Sequence, residues 1–193
     1  MKTIGRLMAA AILMPTTALA HPGHGDAVGL LAGIAHPLSG LDHITVMIAV
    51  GLWAVLKGGR ALWVWPAAFV GVMLVGSALG MMQVPLPFVE PGILASVVVL
   101  GLLTAMAVDM PLALGATIIG GFALLHGYAH GVETPEAASG LLYVAGFAVA
   151  TATLHGIGIA AALSLKFLKL RPLVRMAGVV CVLIGIGLAV NAV

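Results

Sequence analysis

The stretch GLLAGIAHPLSGLDHITVMIAVGLWAVL, running from Gly29 to Leu56, decides the fold. It exceeds the roughly 20 apolar residues that a helix needs to cross a bilayer core. Its apolar residues run on continuously instead of alternating, which excludes a transmembrane β-strand. Yet His36, Asp42 and His43 stand in its middle. An ionisable side chain at the bilayer centre costs about 2.5–3.5 kcal/mol on insertion scales, and more when isolated. Asp42 therefore needs a cation, a proton or a water-filled cavity beside it. No Lys or Arg lies near it in the sequence.

Outward from this stretch, further apolar runs cover 61–82, 91–108, 111–131, 138–166 and 172–192. Of the 193 residues, 62% are hydrophobic and 7% charged, too few charges to coat a water-soluble surface. The expectation is an all-α polytopic membrane protein with six transmembrane helices after a cleaved signal peptide. Connectors carry the breakers Gly58-Gly59, Pro85-Leu86-Pro87, Pro91-Gly92, Pro111 and Pro135. The net charge of +2 is small and scattered, so no nucleic-acid partner is expected. There is no GxxxxGK[ST] loop and no GxGxxG after a strand, which argues against ATP or dinucleotide use. The single cysteine, Cys181, forms no internal disulfide and reads as a packing residue, as do the scattered methionines. Asp109, before Pro111, reads as a turn or cap residue.

Residues 1–20 read as a secretory signal: Lys2 and Arg6, then an apolar core from Leu7 to Met14, then the small-x-small site Ala18-Leu19-Ala20. Cleavage leaves 21–28 as a periplasmic segment headed by His21 and His24, and 29–193 as the membrane domain. A free amine and two imidazoles so close together are a weak metal collector, or else a solvated tip. With the N-terminus outside, Lys57 and Arg60 fall in the first inner loop, and Lys166, Lys169, Arg171 and Arg175 in the last. Glu90, Glu133 and Glu136 fall outside. The positive-inside rule is met throughout, with both termini periplasmic and the protein in the inner membrane. Gly29-x-x-x-Gly33, Gly76-x-x-x-Gly80 and Gly127-x-x-x-Gly131 provide small-residue ridges for close helix packing.

A second polar segment, His126-Gly127-Tyr128-Ala129-His130-Gly131-Val132-Glu133, closes the fourth run, and His155 lies inside the fifth. His36 and His43, seven apart, share one face of a straight helix, about 10.5 Å apart along its axis. His126 and His130, four apart, lie close enough to hold one ion. Antiparallel first and fourth spans pair a deep tier (Asp42, His43, His126) with a shallow tier (His36, Glu133), with His130 open to either. Two weak sites in series suit an ion that must leave as well as enter. Imidazole with carboxylate and without thiolate suits Ni²⁺, Co²⁺, Zn²⁺ or Fe²⁺, and disfavours Mg²⁺, Ca²⁺ and Cu⁺. His155, His21 and His24 are additional candidate ligands. The competing reading is that these side chains are polar pairs that tie helices together.

The two segments resemble the signatures of the HupE/UreJ family. The first-span pattern H-P-x-x-G-x-D-H is met by His36, Pro37, Gly40, Asp42 and His43. The second, roughly F-H-G-x-A-H-G-x-E, is met from His126 to Glu133, with Leu125 replacing the Phe. The resemblance spans nearly the whole chain. It implies a nickel or cobalt permease that works inward from the periplasm, linked to hydrogenase or urease maturation. The ion is then cargo, and no cofactor is permanently bound. An intramembrane Zn-dependent hydrolase and a metal-binding accessory subunit are the alternatives. The oligomeric state is open, with a homo-oligomer allowed.

Overall fold

The computed structural model describes residues 24–134 and 140–192, with side chains from Gly29 onward. The expected signal peptide and His21 lie outside the described residues, as does the side chain of His24. Among the described residues all regular structure is helical. The elements are α1 (His24–Ser39), α2 (Leu41–Lys57), α3 (Ala61–Met81), α4 (Val89–Ala105), α5 (Leu112–Val132), α6 (Gly140–Phe167) and α7 (Arg171–Asn191).

Four of these, α3, α5, α6 and α7, are long and apolar enough to cross a membrane. The first expected span is not one straight helix. It breaks at Gly40, and Gly29–Ser39 meets Leu41–Lys57 at 83°. Counted as one broken span, this pair makes five candidates. The expected third span is shorter than read, because α4 ends at Ala105. Its 17 residues rise about 25 Å. The chain then turns through Ala107, whose φ of 52° no helix accepts.

The corner at Gly40 has a local cause. Pro37 supplies no N–H to the preceding turn, which weakens the end of α1. Ser39 Oγ donates to the His36 carbonyl at 2.6 Å, capping one of the freed acceptors. Gly40 is extended, with φ −95° and ψ 120°, and α2 starts immediately after it.

Packing follows the small residues. A methyl group on Gly127 or Gly131 would run into the carbonyl oxygens of Met73 and Ser77. One on Gly76 or Gly80 would meet those of Leu124 and Tyr128. The two glycine ridges therefore clamp α3 and α5 side by side, with both helices running in the same direction. Helix α6 backs α1 and α2 in the same manner. Its Gly146 lies against the Leu30 carbonyl and its Gly158 against that of Ile48.

One end of the bundle gathers the cations. Lys57 donates to Asp109, so Asp109 is an ion-pair partner and not merely a turn residue. Arg171 Nη2 donates to the Leu56 carbonyl at 3.3 Å, and Arg175 Nε to that of Ala105 at 2.8 Å. The outward faces of α6 and α7 expose Leu141, Val149, Ile157, Leu183 and Val190. Long apolar helices with apolar exteriors and a polar interior are the marks of an integral membrane protein.

Candidate metal site

The site forms where the Gly40 corner meets the far end of α5. At Gly40 a side chain would displace its neighbours. A Cβ on it would lie 2.7 Å from Asp42 Oδ1 and 2.9 Å from His43 Nδ1. Without one, the first turn of α2 folds its carboxylate and imidazole back over the corner. Asp42 also gains from the positive end of α2, in whose first turn it stands.

Four imidazoles then form a continuous file. His36 meets His130 edge-on, with ring centroids 4.9 Å apart. His130 lies 4.5 Å from His43, and His43 meets His126 edge-on at 4.7 Å. On a straight helix His36 and His43 would lie too far apart for one ion to bridge them. The 83° corner brings both against His130.

Carboxylates flank the file. His36 Nε2 donates to Glu133 Oε2 at 2.8 Å, and Asp42 Oδ1 sits 3.0 Å from His43 Nδ1. The file runs from partly open to closed: the Glu133 and His36 side chains are 53% and 35% exposed, whereas His130 and His126 are buried. His36, His130 and Glu133 each offer one ligand atom within 4.8 Å of the others. Ligands on one ion at about 2.1 Å bonds sit roughly 3.3 Å apart, so a modest inward shift would close this trio on a metal.

The buried nitrogens are under-used. His43 Nε2, His126 Nδ1 and both ring nitrogens of His130 have no hydrogen-bond partner among the described residues. Buried polar atoms without partners are costly and call for an explanation. At His126 the tautomer can be deduced. Ser96 Oγ donates to the Ile93 carbonyl at 2.6 Å, so at its 2.8 Å contact with His126 Nε2 it must accept. The proton is then on Nε2, and the Nδ1 lone pair is bare. At His43 Nδ1–H donates to the Asp42 carboxylate, which leaves the lone pair on Nε2. A second partner that fixes the tautomer of an imidazole is the usual companion of a metal ligand.

All six candidate ligands, His36, Asp42, His43, His126, His130 and Glu133, therefore lie in one neighbourhood. His155 does not. It is buried on α6 with neither nitrogen partnered among the described residues, and Phe69 stands between it and His126, with ring centroids 5.1 and 5.8 Å away. Sequence reasoning missed Ser96, whose only signal was a hydroxyl in an apolar run. It also missed the aromatic wall of Tyr143 and Phe147, the latter 4.5 Å from His130.

No solved structure matches the chain. Among curated proteins, Protein HupE of Rhizobium leguminosarum bv. viciae is 48% identical over 184 residues, covering 94% of this chain and 95% of the relative. The HupE / UreJ protein family matches residues 9–188, a span that includes the whole histidine file. The chain thus belongs to the HupE / UreJ protein family.

Proposed function

We propose that this protein is a permease that moves Ni²⁺ or Co²⁺ across the bacterial inner membrane into the cytoplasm without ATP hydrolysis. His36, Asp42, His43, His126, His130 and Glu133 serve as successive ligands. The observation that carries this reading is His130: a buried imidazole, neither of whose nitrogens has a partner among the described residues, in contact with His36 on one side and His43 on the other. A dehydrated dication would occupy the one lone pair that the neutral His130 ring offers, and the flanking Asp42 and Glu133 offset its charge in a low-dielectric setting. A graded file of weak sites lets the ion leave as readily as it enters.

In this reading the chain has six spans, with α1 and α2 forming the first as a broken helix and α4 a short one. Irregular backbone at membrane depth is tolerated where it lines a polar cavity. The leader is removed, both termini are periplasmic, and the cationic end of the bundle faces the cytoplasm. A membrane potential of about 100 mV then supplies about 4.6 kcal/mol per dication. The family points to metal supply for hydrogenase or urease maturation.

The test is uptake of labelled Ni²⁺ and Co²⁺ into proteoliposomes that contain this chain alone. Saturable, ATP-independent uptake is expected, and Asp42→Ala and His130→Ala should each abolish it. Binding without flux in the unaltered protein would overturn permeation and indicate a metal-holding accessory subunit.

A further inference from the structure

His155 lies outside the histidine file, yet it is built like part of a path. It is 1% exposed, and neither ring nitrogen has a partner among the described residues. One turn before it on the same face of α6, Thr151 Oγ1 lies 3.6 Å from Met73 Sδ. On α3, Met73 is likewise one turn from Phe69, whose ring meets His155 edge-on at 5.1 Å. The facing pairs Thr151/His155 and Met73/Phe69 thus make a short ladder between α6 and α3. The Phe69 ring also lies 5.8 Å, centroid to centroid, from His126, the innermost imidazole of the file.

Position adds direction. His155 is displaced from Thr151 by one turn, about 5.4 Å, toward the end of α6 where Arg171 reaches Leu56. Beside its ring runs a groove of about 300 Å³, walled by Trp63, Pro66 and Val70 of α3 and by Ala152 and Gly156 of α6. The other walls of this groove are apolar, so His155 is its one imidazole. A histidine that only packed helices together would spend its nitrogens on their carbonyls, and this one does not.

We infer that His155 is a separate, exit-side metal station: a single imidazole that takes the dication from His126 past the Phe69 ring, with the Met73 thioether and Thr151 hydroxyl as passing donors. This rests on the permeation reading above, and adds to it a second binding position nearer the cytoplasmic end.

The test compares His155→Asn, close in shape but a poor ligand, with His155→Cys, which restores a ligand atom. Initial Ni²⁺ uptake by proteoliposomes is measured beside Ni²⁺ binding to the detergent-solubilised protein. Asn is expected to slow uptake about tenfold or more, as loss of a metal-tuning group commonly does, while the affinity of the file changes less than about twofold. Cys should recover most of the rate. Co²⁺ titration should show a second, weaker absorbing site in the unaltered protein that is lost in His155→Asn. Uptake by the Asn variant at the unaltered rate, or a Cys variant no faster than Asn, would overturn the station. Absence of flux in the unaltered protein would instead overturn permeation itself.

Discussion

The two ends of the helical bundle treat their polar atoms in opposite ways. At the end closed by Glu133, imidazoles are crowded together, and four of their buried nitrogens lack partners among the described residues. At the end closed by Lys57, Trp53 and Trp65 are fully buried with ring centroids 4.2 Å apart, and each indole N–H is satisfied, by the Val108 carbonyl at 2.9 Å and the Leu112 carbonyl at 3.0 Å. Thr104 there bonds the Leu100 carbonyl at 2.8 Å. A satisfied end contributes stability, and an unsatisfied one stores demand for a ligand. The comparison therefore separates the tryptophan-lined end, which closes the protein, from the histidine-lined end, where the proposed ligands stand.

The most disruptive way to break this contrast is to unclamp α3 from α5. Gly127→Val drives a side chain into the Met73 backbone. It should cost about 3 kcal/mol or more, the upper range of overpacking, and leave little folded protein by size-exclusion chromatography. Recovery of a stable variant would show that the clamp is dispensable. Next in size is His130→Ala, which should lower Ni²⁺ affinity about 100-fold, measured by equilibrium dialysis. An unaltered affinity would deprive the polar end of its role.

Gly40→Ala sharpens the comparison, because it adds one methyl beside Asp42 and His43 and removes no ligand. Affinity should fall about tenfold while the melting temperature in detergent stays nearly constant, since only the orienting contact is disturbed. At the closed end, Trp53→Phe removes one hydrogen bond and leaves the half-buried Val108 carbonyl without that donor. Stability should drop by about 1 kcal/mol with Ni²⁺ affinity unchanged. Smallest is Lys57→Gln, whose partner Asp109 is largely exposed. Its effect should stay under about 1 kcal/mol, and a larger loss would mean that this pair ties the end of α2 to the turn between α4 and α5.

The candidate ligands were conspicuous in the sequence because apolar surroundings expose polar intruders. His36, Asp42, His43, His126, His130 and Glu133 stood out for what they cost in hydrocarbon, and the structure gathers them. Their arrangement was not legible. Pro37 and Gly40 were visible, but a proline within a span is compatible with a straight helix, a kink or a corner, and only neighbouring helices decide which. The glycine ridges were read as packing surfaces. That Gly127 would face Met73 and Gly80 would face Tyr128 needed tertiary contacts. Ser96 escaped notice because a helical serine commonly bonds its own preceding turn, as this one also does.

Helix α6 carries a consequence of its own. It receives α1 at Gly146 and α2 at Gly158, so twelve residues of uninterrupted helix gauge the offset between the two pieces of the broken span, about 18 Å of axial length. The corner at Gly40 joins those pieces, but the ruler that phases them is on another segment. One residue inserted between Gly146 and Gly158 would turn the two notches about 100° out of step and part His36 from His43, without altering a single ligand, charge or hydrophobic run.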